Sequence, residues 1–419
     1  MRLRQVLVGG SPVSDPNIPT VISGAAPEPG KRPHVACFIY KFSGAGTTVQ
    51  NLAVARALAD AGFRVDLVVV RADGVLAGQA PAGLPIVELD PRQTGKPTLS
   101  LLDRTAAALR LARYLKDHRP DVLLSGSTKA NLVALAAKRL GRSPARVVLT
   151  VTNNLYQRKP GQHRTGSRLA PWITRTFFGA ADRIIAVSRG VTDDLVANEG
   201  LPRDKVVTIH PPINIDRITA LAREPLDHPW FAPGQPPVIL GVGRLVAQKD
   251  FPTLVRAFGV LAARRDARLM ILGEGSDGAR TELLDLARAA GVDDRVALPG
   301  YDTNPYRYMA GAGMFALSSL WEGFGMVVAE ALACGCPTVS TDCPSGPAEI
   351  LDAGRHGALV PPGDPHALAD AMAATLDRPP CRDALVARAH AFGVASSMDR
   401  YCALLTELTD PRPSLDRAA

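Results

Sequence analysis

From residue 34 onward, short unbroken apolar runs are each closed by glycine or a small polar residue. One series comprises His34–Tyr40, Arg64–Val70, Ile86–Leu89, Val122–Ser125, Val147–Val151, Arg183–Val187 and Lys205–Ile209. A second comprises Pro237–Val242, Leu269–Leu272, Val296–Leu298, Met314–Leu317, Pro337–Thr341 and Ala358–Val360. Runs of this length without polar alternation read as strands covered on both faces. Between them, apolar positions recur at helical spacing over Thr48–Ala61, Ser100–His118 and Lys129–Leu140, from Phe251, and over Arg280–Ala290 and His366–Leu376. Ser397–Leu408 has the same spacing, with Tyr401, Leu404, Leu405 and Leu408 on one stripe. Alternating strands and helices predict parallel sheets with helices on both faces. Ligands of such sheets bind outside the carboxyl ends of the strands, where Gly126, Ser127, Thr152 and Ser188 fall in the first series.

A length of 419 residues fits two domains. The pattern divides into a Pro-, Gly- and Ser-rich leader (1–32), a first domain (33–210), a Pro-rich linker (211–232), a second domain (233–394) and a last helix (395–412). Charge is uneven: residues 1–210 hold 29 Lys/Arg against 15 Asp/Glu, and residues 211–419 hold 19 against 25. The basic first half suits an anionic partner or simply a solvated face. No CxxC occurs among the six cysteines, which read as small buried residues of a reducing compartment. The apolar part of MRLRQVLVGG is too short for a secretory signal, and no run reaches membrane-spanning length. These features place the chain in the cytoplasm.

Candidate chemistry concentrates between Ser318 and Glu349. Glu322 falls in a loop, followed by Gly323, Phe324 and Gly325; Glu330 lies eight residues on, inside the helix that Met326 and Val327 begin. A loop carboxylate and a helix carboxylate can face one polyhydroxylated ligand. The glycines open the helix N-terminus to an anion. Upstream, Gly243-Arg244-Leu245 and Lys249-Asp250 put a guanidinium and an ammonium at another helix start, a pattern suited to a diphosphate. Gly273 closes a further strand. No GxSxG, HExxH or metal-binding acidic pair accompanies them. The Glu322–Glu330 pair alone could belong to a hydrolase, but the cations and glycine turns favour phosphate.

Taken together, EGFG, the seven-residue spacing to Glu330, the EAxxxGxP continuation and the upstream GxGRLxxxKD resemble the retaining glycosyltransferases of family 4. That resemblance implies the GT-B fold, an α/β architecture of two facing doubly wound domains with a cleft between them. It assigns Arg244 and Lys249 to the donor diphosphate, Glu322 to sugar hydroxyls and Glu330 to ribose hydroxyls. It puts backbone near Leu298 and Tyr301 against the base; Tyr301 could equally pack. Gly44, Ala45 and Gly46 would face the acceptor and the donor phosphates, although a plain βα turn has the same composition. The catalytic set implied is Glu322, Arg244 and Lys249, with no cofactor and no metal. The partners implied are a nucleotide sugar, best a UDP-sugar, and a glycan or polyprenyl-linked glycan of surface polysaccharide or lipopolysaccharide synthesis, not nucleic acid.

One departure stands out. Many family members have a histidine after the strand at Val122–Ser125; here Gly126-Ser127-Thr128-Lys129 follows, leaving Ser127, Lys129 and Asn131 as the nearby polar groups. His210 reads as a hinge residue rather than a base. Glu349 either braces the sugar pocket or is a helix-start carboxylate. Arg158, Lys159, Arg164, Arg168, Trp172 and Arg175 form a basic stretch with an apolar stripe. It reads either as contact with an anionic membrane on the inner face or as a core stripe with a solvated back. Epimerases and phosphorylases share this scaffold, and a non-enzymatic sugar-binding protein would not need Arg244 and Lys249.

Overall fold

The structure is a computed structural model that describes residues 32–43, 46–74, 76–81, 83–90, 101–153 and 175–410. The first sheet contains β1 (His34–Lys41), β2 (Arg64–Arg71), β3 (Ile86–Glu88), β4 (Val122–Ser125), β5 (Arg146–Val151), β6 (Arg183–Ala186) and β7 (Val206–Thr208), in the order β3-β2-β1-β4-β5-β6-β7. The second contains β8 (Val238–Val242), β9 (Arg268–Leu272), β10 (Val296–Gly300), β11 (Met314–Leu317), β12 (Thr338–Thr341) and β13 (Ala358–Val360), in the order β10-β9-β8-β11-β12-β13. Every strand pair is parallel. Strand order reverses between β1 and β4 in one sheet and between β8 and β11 in the other. Such reversals open a crevice at the strand ends.

Both faces of each sheet are buried, which explains the unbroken apolar runs. Along β1, Ala36 and Phe38 enter one hydrophobic cluster, while Val35, Cys37 and Ile39 enter another. Along β8, Val238 and Leu240 face one cluster and Ile239 the other. The helices that cover the first sheet include α1 (Gly46–Asp60), α2 (Leu101–His118), α3 (Thr128–Gly141) and α4 (Arg189–Ala197). Ser127 caps α3 and Ser188 caps α4, each side chain accepting a backbone N–H of the first turn.

Residues 211–232, expected to be a linker, contain α5 (Ile215–Ala222). Asn214 caps it by accepting Arg217 N–H, and Ile215 and Ile218 are buried. It packs against α8 (Tyr306–Gly311) and α9 (Met326–Ala333). Asn304 Nδ2 donates to Leu221 O at 2.9 Å, tying the helix's end to the second half. The second sheet also carries α6 (Phe251–Ala262), α7 (Asp277–Ala289), α10 (Pro347–Ile350), α11 (Pro365–Asp377) and α12 (Arg382–His390). Cys37, Cys334, Cys336 and Cys343 are buried as expected, but Cys381 is exposed, because it sits at the turn before α12.

The chain ends its described part in α13 (Val394–Thr409). Met398, Tyr401, Leu404 and Leu405 of this helix share a cluster with Val35, Cys37, Val148 and Ile185 of the first sheet. Arg183 Nη2 donates to Glu407 at 2.7 Å and Arg400 Nη1 to Thr208 O at 3.2 Å, fastening the helix there. Among the described residues, no helix is long and apolar enough to cross a membrane. Tyr401 is 1 % exposed. Tyr401→Ala is therefore expected to cost about 3–5 kcal/mol in urea unfolding, the range for losing a buried aromatic side chain.

Candidate active site

The crevice between β8 and β11 is built by two loops that run side by side. Leu320 N–H donates to Gln248 O at 2.9 Å, and Ser318 Oγ donates to Lys249 O at 2.8 Å. Lys249 Nζ then reaches Glu322 Oε1 at 2.6 Å. Ser319 Oγ donates to the same oxygen at 2.7 Å, and Gln248 Nε2 lies 3.5 Å from the other. Glu322 is only 7 % exposed, so these donors replace the water that burial removes. The expected alternative partner of Lys249, Asp250, instead turns toward Thr253 at the start of α6. Arg244 is exposed in the turn after β8, with no side-chain partner among the described residues.

Gly243 and Gly273 are needed for close approach. Both hold positive φ, a Cβ on Gly273 would overlap Gly243 O, and one on Gly243 would meet Lys249 Cε at 3.0 Å. Gly325, at φ +85, starts α9, whose first residues Met326 and Val327 are partly buried. Glu330 follows one turn later and keeps part of its surface accessible. Burial of the rest pushes its carboxyl up to about 7, against the opposing charges of Lys249 and Arg217. Glu330 in turn is the main cause that raises the Tyr306 hydroxyl, ahead of burial. Thus α5 and α8 bring Arg217 and Tyr306 to Glu330. Leu298 is 5 % exposed, with its side chain in a hydrophobic cluster. Tyr301 does not pack: it is 62 % exposed.

The Gly323–Gly325 loop also touches the first sheet. A Cβ on Gly323 would overlap Thr152 O, beyond the end of β5. Ser188 Oγ, after β6, donates to Gly323 O at 2.6 Å. Phe324 lies 5.3 Å from both His210 and Phe392, ring centre to ring centre. His210 Nε2 is 2.6 Å from Glu349 Oε1, and Arg189 N–H donates to Glu349 Oε2 at 2.8 Å. Glu349 therefore binds across to the start of α4 and to His210. Burial opposes its charge, but the His210 contact and the Arg189 N–H hold its carboxyl below the ordinary range. His210 is a joint residue between aromatic rings and this carboxylate.

The acceptor-side residues are less concentrated. Gly44 and Ala45 lie outside the described residues; Gly46 is exposed at the first position of α1. Ser127 uses its hydroxyl oxygen to accept Ala130 N–H at 3.3 Å, and Lys129 is exposed. Arg158, Lys159, Arg164, Arg168 and Trp172 also lie outside; Arg175 is exposed at the start of a described helical turn, beside an exposed Phe177. Sequence reasoning did not find Gln248, Ser319 or Arg217 as site residues and placed Ser188 only at the rim of strand ends. Gln248 and Ser319 adjoin the motifs, so their positions were signalled; Arg217 has no local signature.

Two outcomes test the joint. Gly323→Ala should lower turnover at least tenfold, while the control Gly278→Ala, whose Cβ has room on α7, should not. For Glu349, a depressed carboxyl stabilises the fold above the ordinary carboxylate pKa, and that stability is lost as pH falls through the depressed value. The melting-temperature gap between wild type and Glu349→Gln should therefore be widest near neutrality and close in acid.

Two family models match the chain: Glycosyltransferase Family 4 over residues 42–217 and Glycosyl transferases group 1 over residues 236–378. The N-acetylgalactosamine-N,N'-diacetylbacillosaminyl-diphospho-undecaprenol 4-alpha-N-acetylgalactosaminyltransferase of Campylobacter jejuni is 31% identical over 266 residues, covering 63% of this chain and 69% of the relative. A glycosyltransferase structure from Rickettsia africae ESF-5 superposes with a TM-score of 0.74 at 16% identity, over 91% of this chain and 100% of that one. The structure of Anabaena Alr3699/HepE in complex with UDP gives 0.71 at 19% identity, over 90% and 100%. These two likenesses establish the two-sheet GT-B architecture. With its strand order, its facing sheets and the matched models, the chain belongs to the family 4 glycosyltransferases and is a transferase enzyme.

Proposed function

We propose that this enzyme transfers a hexose or N-acetylhexosamine from its UDP-sugar to a hydroxyl of a polyprenyl-linked or surface glycan, with retention at the anomeric carbon and without a metal. The observation that carries this reading is the convergence of Lys249 and Glu322 in one crevice, with Glu330 on the adjoining helix. The UDP complex of the HepE neighbour supports the choice of base, and the name of the Campylobacter relative supports a diphospho-undecaprenol-linked acceptor.

In the proposed step the bond from the anomeric carbon to the diphosphate breaks while one to the acceptor oxygen forms on the same face. The acceptor's proton passes to the leaving diphosphate oxygen. Lys249 has three N–H donors, one already on Glu322, so two remain for phosphate. Arg244 offers a planar fork to the same group. These positive groups stabilise the developing charge in place of a divalent ion. Glu322 and Glu330 accept hydroxyls of the sugar and ribose.

Released nucleotide should be measured with a panel of UDP-, GDP- and ADP-sugars and a membrane lipid extract as acceptor. Turnover with a UDP-sugar that survives EDTA is expected; no release with any donor overturns the reading. Lys249→Ala should lower turnover by about 10²–10³-fold, the usual loss for one electrostatic donor. Arg244→Ala should weaken UDP binding in calorimetry. Full UDP affinity in either variant removes that residue from the phosphate site.

A further inference from the structure

The first sheet reverses strand order between β1 and β4 as the second does between β8 and β11. In the second sheet the segments after the two reversing strands carry Lys249 and Glu322. In the first, the equivalent segments carry Asn51, on α1, and Gly126, directly after β4. Asn51 Nδ2 donates to Gly126 O at 2.7 Å. A Cβ built on Gly126 would overlap the Asn51 carboxamide. Gly126 is not among the residues with positive φ, so its backbone does not require glycine. The missing side chain makes room for Asn51.

The carboxamide has unused capacity. Its second N–H and its Oδ1 have no bonded partner among the described residues, and Asn51 is half-buried. Nearby, Ser125 Oγ at the end of β4 and Asn131 Oδ1 in the first turn of α3 are buried without a hydrogen-bond partner among the described residues. Unpaired buried polar atoms are uncommon and call for a ligand or water. One strand over, about 4.8 Å by ordinary sheet spacing, β5 leads into Thr152, which touches Gly323 of the donor-side loop. The crevice at Asn51 thus borders the donor-side one.

We infer that Asn51 binds the acceptor, its carboxamide standing where a side chain of the β4–α3 turn would project and holding a sugar hydroxyl beside the donor loop. The inference rests on the proposed glycosyl transfer and names the acceptor group its first-sheet crevice takes. A carboxamide donates and accepts at once, which matches a neutral hydroxyl. It does not titrate, so it positions the hydroxyl without removing its proton.

The test uses the full chain, the UDP-sugar that the donor panel identifies, and a membrane lipid extract as acceptor. Asn51→Leu should raise the half-saturating amount of extract about tenfold, the worth of one or two hydrogen bonds. UDP affinity by calorimetry should stay unchanged. Gly126→Ala should copy this defect by displacing the carboxamide, yet add nothing in an Asn51→Ala background. Should Asn51→Leu fail to fold, Asn51→Asp keeps the shape and loses the N–H donors; it should weaken acceptor use while retaining UDP. Wild-type transfer with unchanged acceptor half-saturation in the folded Asn51 variants overturns the inference alone. Loss of UDP affinity in parallel with acceptor use also overturns it, because it indicates a role in holding the fold. Absence of wild-type transfer with every donor sinks the glycosyl-transfer reading, and the inference with it.

Discussion

The ion pair between Lys249 and Glu322 is the constraint on which the site depends. Glu322 is buried, and a buried carboxylate is tolerated only with partners that replace its lost water. The partners come from two loops that meet only because strand order reverses between β8 and β11. Lys249 and Ser319 hold one oxygen, and Gln248 approaches the other. The backbone bonds from Leu320 to Gln248 and from Ser318 to Lys249 keep the loops in register. The ammonium is thereby placed before any ligand arrives. A group already fixed near its working position need not be ordered when the charge develops.

The same loop couples the two sheets. Gly323 presents its carbonyl to Ser188 and its Cα to the Thr152 carbonyl, a distance that admits no side chain. Phe324 then inserts beside His210 and Phe392, and Glu349 reaches the first turn of α4. Small residues at the approach and aromatic residues behind it let one loop serve both the charged crevice and the contact between halves. Retaining the Glu349 charge in a largely buried place also gives the joint a dependence on pH that an apolar contact would lack.

The strands were readable from the sequence because both faces of a parallel sheet are apolar, so each strand is a continuous run. Met314–Leu317 and Val122–Ser125 fall where the run predicts. The placement of Glu322 in a loop and Glu330 in a helix was readable because glycine marks the turn between them. The helix α5 was passed over because its eight residues lie between prolines that read as a linker, although Ile215, Ile218 and Ala222 recur at helical spacing; its burial depends on α8 and α9. Lys249 sits near Asp250 in sequence but pairs with Glu322, seventy-three residues away. Local spacing cannot rank such partners, because the fold decides which loops meet. Ser127, a candidate ligand group, also caps a helix, a use of serine that sequence position alone does not separate from binding.

The two crevices differ in character, and the difference bears on the proposed chemistry. The second-sheet crevice has an ammonium, a guanidinium and two carboxylates; the groups nearest Asn51 at the first-sheet crevice are amides and hydroxyls, with Lys129 exposed on the turn beyond. A diphosphate and a ribose are suited by the former, and a neutral sugar hydroxyl by the latter. Neither Asn51 nor Ser125 removes a proton near neutral pH, and His210 is engaged with Glu349. In the proposed transfer the acceptor's proton leaves toward the donor's own phosphate oxygen. That route requires the phosphate to be held next to the hydroxyl, and the contact between Gly323 and the end of β5 brings the loops of the two sheets together there. In the proposed transfer the closeness of the two crevices takes the place of a dedicated base.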